Sequence, residues 1–150
     1  MYIDAQNILM DEQALDADAM SENVIDLKAA NVNFAEGEQM GIAMAVKVAA
    51  DHTSGTERFF FLIQTDDDAS MPTPTTHNGE GGQEILYSDL TADSLHFIPI
   101  SKTMAANFQR YLGLYFNGVS TTPTVTITAW LCSAKDFAAR AKAYPTSRSF

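Results

Sequence analysis

The sequence predicts an all-β protein, a jelly-roll β-sandwich of about eight antiparallel strands with extended terminal arms. Three observations predict it. Apolar residues alternate with polar or small ones in several runs, turn residues punctuate those runs at short intervals, and neither a strand–helix–strand alternation nor an internal repeat occurs.

The most informative stretch runs from Arg110 to Leu131. Val125, Ile127, Ala129 and Leu131 fall on one side of a strand, with Thr124, Thr126 and Thr128 on the other. β-Branched residues in strict alternation suit a half-buried pleated surface. Upstream, Leu112, Leu114 and Phe116 alternate in the same way, and Asn117-Gly118 supplies the positive φ of a chain reversal. The expectation is an antiparallel hairpin, with both apolar rows facing one core.

The remaining elements follow in order. Residues 1–20 read as an N-terminal arm, with a strand around Tyr2 to Leu9 and a short helical turn from Asp11 to Leu15. Residues 21–27 form a short strand-like piece. After Gly37, Met40, Ile42, Met44, Val46 and Val48 alternate with Gly41, Ala43, Ala45 and Lys47, a long strand with a small-residue outer face. Residues 51–56 make a turn. Residues 58–65 are apolar on both faces, with Phe59, Phe61 and Ile63 on one and Phe60 and Leu62 on the other, so both faces should be covered. A Pro/Thr/Gly-rich loop fills 71–82. Short strands are expected at 83–87 and 95–100, the latter at an edge because of Pro99. One helical turn is expected within 101–107. Residues 133–150 read as a C-terminal tail, helical over 134–143 and stopped by Tyr144-Pro145.

Length and charge narrow the function. A chain of 150 residues makes one domain with a proper core. No apolar run reaches the ~20 residues of a membrane span, and Asp4 stands where an export signal would carry Lys or Arg. Cys132 is the single cysteine, so no internal disulfide can form, which suits synthesis in a reducing cytoplasm. The net charge of -10 argues against a nucleic-acid partner. Nine carboxylates lie in the first forty residues against Lys28, whereas Lys135, Arg140, Lys142 and Arg148 outnumber Asp136 near the end. Solvated surface accounts for most of these; complementary terminal arms are the sharper account.

Candidate chemistry is sparse. Asp66-Asp67-Asp68 clusters oxygens that Ca²⁺ or Mg²⁺ would favour, but no calcium-loop spacing follows, so a solvated turn is expected. His52, His77 and His96 lack the spacing of a metal set. No Gly-x-Ser-x-Gly turn occurs, Gly79 to Gly82 lacks the lysine and helix of a phosphate loop, and Cys132 ends an apolar strand. No catalytic, cofactor-binding or metal-binding residue is assigned, and an enzyme is not expected.

The face away from the main core is more telling. Alternation assigns Phe60, Leu62, Tyr111, Tyr115 and Trp130 to it. They make either a second small core beneath an arm or loop, or a contact surface, since Tyr and Trp are enriched at interfaces. With Tyr2, Ile3, Ile8 and Leu9 of the arm, and Tyr144 of the tail, they are the candidate interface residues.

The segments Ser21-Glu22-Asn23-Val24-Ile25-Asp26-Leu27, Gly37-Glu38, Gln64-Thr65-Asp66-Asp67-Asp68-Ala69, Ile98-Pro99-Ile100, Arg110-Tyr111-Leu112-Gly113-Leu114, the 124–131 strand and Tyr144-Pro145 form an ordered set. In this set the chain resembles the capsid cement, or decoration, proteins of tailed phages, specifically the family that includes the cement protein of a Bordetella short-tailed phage. The chain departs from that pattern in the 71–82 loop and in a longer 133–142 segment. The resemblance implies a jelly-roll protein on the outer capsid surface of the virion, made in the host cytoplasm. Its partners would be a major capsid protein of HK97-like fold, which it bridges against internal pressure, and itself, as a homodimer or alternatively a trimer. No nucleic acid, membrane or cofactor is implied. The competing expectation is a carbohydrate-binding jelly-roll module on the virion surface, because sandwiches of this kind host many binding functions.

Overall fold

The computed structural model describes residues 7–30, 34, 39–50, 56–79, 81–119 and 124–143. Tyr2, Ile3, Tyr144, His52 and most of the 51–56 turn lie outside them.

Alternation builds two antiparallel sheets. The strands are β1 (Ile8–Leu15), β2 (Ala19–Met20), β3 (Ile25–Asp26), β4 (Met40–Val48), β5 (Arg58–Asp66), β6 (Thr75–Thr76), β7 (Gln83–Ile85), β8 (Leu95–Ile100), β9 (Tyr111–Val119) and β10 (Val125–Ser133). The helices are α1 (Leu27–Ala30), α2 (Lys102–Ala105) and α3 (Ala134–Ala143). One sheet has four strands in the order β1-β10-β4-β8. The other has six, in the order β2-β9-β5-β6, with β3 also on β9 and β7 also on β5. Taking β2/β3 and β6/β7 as two interrupted strands, each sheet is four wide, and the chain passes between the sheets in the manner of a jelly roll.

The core lies between the sheets. Phe59 and Phe61 of β5 sit with ring centroids 6.0 and 5.6 Å from Phe116 of β9, and all three are fully buried. Each such ring contributes roughly 1.5–3 kcal/mol through burial. Ile42, Met44, Val46, Ile98, Ile127 and Leu131 supply the facing half. Pro99 stands on β8, at the edge of its sheet, where its missing N–H costs no ladder bond.

Two expectations are corrected here. β9 and β10 do not form a hairpin: β9 pairs with β5, β10 with β1 and β4. Their apolar rows still share one core, but face each other across it. Asn117 and Gly118 do not reverse the chain; they lie within the ladder opposite Phe60 and Phe59, and the Gly118 N–H donates to Asp18 Oδ1 at 2.9 Å.

The arm is the second correction. Residues 11–15 are not helical, because β1 runs through them as an edge strand on β10. Register shifts flank Met10, and Glu12 has φ 46°. These bulges let Leu9 and Met10, adjacent in sequence, both bury completely.

The helix expected over 134–143 is present as α3. Ser133 ends β10, and α3 packs on the outer face of the four-stranded sheet. Phe137 stacks on Phe97 at 5.1 Å, and the Arg140 guanidinium stands 4.7 Å above the Trp130 ring. Gly41 and Ala43 make room for those rings; a Cβ on Gly41 would come within 2.4 Å of Phe97 Cζ. The small-residue face read from the sequence is therefore a bed for aromatics and a helix. Val48, past a register shift, is exposed.

Candidate functional site

The outer face of the six-stranded sheet brings together four of the candidate interface residues. Facing pairs across β5 and β9 are Phe60 with Asn117, Leu62 with Tyr115, Gln64 with Gly113, and Asp66 with Tyr111. Period-2 geometry places this whole row on one side.

The middle of the row is covered by the chain itself. Leu62 is only 7% exposed, because the backbone of Gly82 lies over it: a Cβ there would fall 2.7 Å from Leu62 Cγ. Gly113 is likewise overlaid, by Met20, Met71 and Val24. This is the small second core, closed by the 19–25 segment and the 71–82 loop. What stays half-buried on the rim is Phe60, Tyr115 and Tyr111.

Each end of the rim carries the same device. Arg58 Nε and Nη2 donate to Glu84 Oε2 and Oε1 at 3.1 and 3.0 Å, and its guanidinium lies 4.9 Å from the Phe60 ring centroid. Arg110 Nε and Nη2 donate to Asp26 Oδ1 and Oδ2 at 3.0 and 2.9 Å, 5.0 Å from the Tyr111 centroid. A planar fork held by two parallel bonds keeps the cation flat against its ring. The hydrogen bonds to Glu84 and Asp26 raise the arginine pKa values, and the bond to Arg58 lowers that of Glu84. Both forks are charge-neutral as pairs, in a protein of net charge -10.

At the Arg58 end the face continues into Val119, opposite Arg58, and Leu86 just beyond β7; these are 41% and 58% exposed. Neither stands among the interface residues read from the sequence, nor do Arg58 and Arg110. The Arg-x-Phe and Arg-Tyr spacings were visible, but the carboxylates come from distant segments.

The other candidate residues lie elsewhere. Trp130 does not join the aromatic row: it is 2% exposed on the far sheet, facing Ile8 and Ala43. Leu9 is in the core. Asp66 is buried rather than solvated: its Oδ1 accepts the Asp68 N–H and its Oδ2 the Thr73 N–H, tying off the loop entrance. His77 Nε2 lies 2.6 Å from Thr65 Oγ1, and His96 Nε2 lies 3.0 Å from Ser94 Oγ. Among the described residues no three of His, Cys, Asp and Glu gather as a metal set, and no helix is long and apolar enough to cross a membrane.

A family model named Bbp16 matches residues 9–134. The chain belongs to the Bbp16 family. That name points to a Bordetella phage protein. The Bbp16 match takes in both sheets and stops at the first residue of α3. No curated protein matches the chain.

Proposed function

We propose that this Bbp16-family chain is a capsid decoration, or cement, protein that binds the outer surface of an icosahedral tailed-phage shell and bridges neighbouring major capsid proteins. The observation that carries this reading is the rim of Phe60, Tyr115 and Tyr111 between two neutral arginine forks. Tyr and Arg are the residues that dominate binding energies, and fixing them beforehand lowers the entropy cost of docking. A neutral, aromatic rim on an acidic body is a place where another protein can approach without like-charge repulsion. The opposite sheet is covered by α3 and offers less.

The partner in this reading is a major capsid protein of HK97-like fold, with a second copy of the chain completing a homodimer, or two further copies a trimer. Bridging needs rigidity and contact area and no catalytic step. Many copies on one shell multiply a modest contact energy. The test is to add purified chain to undecorated, expanded shells. Tighter binding to expanded than to precursor shells, with raised heat resistance, is expected. Equal binding to free capsid subunits contradicts bridging.

A further inference from the structure

At one end of the sandwich, between β6 and α2, lies an open cleft of about 540 Å³. Its lining differs from the rest of the surface. Four hydroxyls reach it from Thr75, Thr76, Ser101 and Thr103, and two amides from Asn107 and Gln109; none carries a formal charge. His77 is the one titratable group in the lining, and burial lowers its pKa from 6.5, so the ring is neutral at pH 7. Met104 supplies an apolar patch.

These groups are held in place from behind. Fully buried Thr65 fixes His77 Nε2 at 2.6 Å and accepts the Gln109 backbone N–H at 3.2 Å. Thr76 Oγ1 accepts from Gln64 Nε2 at 2.9 Å, Ser101 Oγ accepts the Met104 N–H at 3.0 Å, and Asn107 Nδ2 donates to the Thr103 carbonyl at 3.3 Å. The Thr76 and Ser101 oxygens are used as acceptors in these bonds, which leaves their O–H hydrogens to donate outward.

We infer that this cleft binds a neutral saccharide. A sugar presents hydroxyls that both donate and accept, and a ring face of C–H groups. Hydroxyl and amide side chains match the first, and Met104 the second. A volume within the roughly 300–1,000 Å³ range of small-molecule sites admits one or two sugar rings. An acidic sugar would find no cation in the lining and would meet a protein of net charge -10. The cleft shares no lining residue with the aromatic rim, so it stands or falls separately from the capsid-binding reading.

The test is a titration of the ¹⁵N-labelled full chain with two sets of oligosaccharides. One set is neutral, built from hexose, deoxyhexose and N-acetylhexosamine; the other carries sialic or uronic acids. Neutral sugars should shift the amides of 75–77 and 101–109, and acidic sugars should not. The exposed substitutions Asn107→Ala and Thr103→Val should each weaken binding about fivefold to tenfold, the scale of a lost hydrogen bond or two. Tyr115→Ala should leave it unchanged. Unaltered melting temperatures establish that the variants fold. Absence of shifts at millimolar neutral sugar, a response to acidic sugars alone, or affinities untouched by both cleft variants would overturn the inference.

Discussion

Leu62 of β5 and Tyr115 of β9 stand directly opposite each other on the outer face of the six-stranded sheet, yet only Tyr115 reaches solvent to any extent. The Gly82 backbone closes over Leu62. One pair thus joins a structural residue to a surface one. Leu62→Glu should unfold the protein by about 3–5 kcal/mol, because its carboxylate would be buried without a partner. Tyr115→Ala should cost far less. Urea titration of both variants checks this; similar, small losses would mean that Gly82 and its loop do not seal the face.

Gly41 is required by the ring beside it. A Cβ there would stand 2.4 Å from Phe97 Cζ and 2.5 Å from the Ile98 carbonyl oxygen. The ring can shift, but the carbonyl belongs to the neighbouring strand. Gly41→Ala should therefore destabilise by about 1–3 kcal/mol, the range for overpacking. A neutral or stabilising effect in thermal melts contradicts the packing described for α3.

Helix α3 shields two reporters. Burial, reinforced by Asp136 and opposed by Trp130 and Arg140, pushes the Cys132 thiol from 9.0 up to about 11. At pH 8 it should alkylate about a hundredfold more slowly than an ordinary thiol, since the thiolate is the reactive form. Truncation after Ser133 should speed that reaction and move emission from Trp130, the single tryptophan, to the red. Unchanged emission would place the helix off the Trp130 face.

The two described histidines predict a pH window. Burial lowers the pKa of His96 below 6.5, outweighing the opposing effect of Asp89, and burial lowers that of His77. The unfolded chain therefore takes up protons before the folded one does. Stability should be level above about pH 7 and fall as pH drops below about 6.5 toward the folded values. Melting temperatures between pH 5 and 8 read this out. His96→Gln should flatten the slope, and adding His77→Gln should flatten it further. A slope of opposite sign would mean that these rings are stabilised in their charged form.

Local patterning carried much of the fold. Alternation was sufficient for β4, β5, β9 and β10, Pro99 marked an edge, and 134–143 read as a helix. It failed where geometry departs from period two or where the partner strand decides. In β1 the bulges around Met10 break alternation, so Leu9 and Met10 bury side by side in a stretch that looked partly helical. Asn117-Gly118 carries turn chemistry, yet pairing with β5 holds it straight. Alternation correctly turned Trp130 away from the core, but only sheet membership separates it from Tyr115. The forks and the cleft depend on contacts such as Arg110–Asp26 and Thr65–Gln109, made between segments far apart in the chain. No local signal announces them.

The most direct test of the proposed capsid contact is binding of the Phe60→Glu, Tyr115→Glu double variant to undecorated, expanded shells. Both side chains are partly exposed, so the variant should fold, with a melting temperature close to that of the parent. Co-sedimentation should show affinity reduced about tenfold or more, on the scale of losing an interface hot spot, with the added heat resistance gone. A folded double variant that decorates and protects shells as well as the parent would contradict the account.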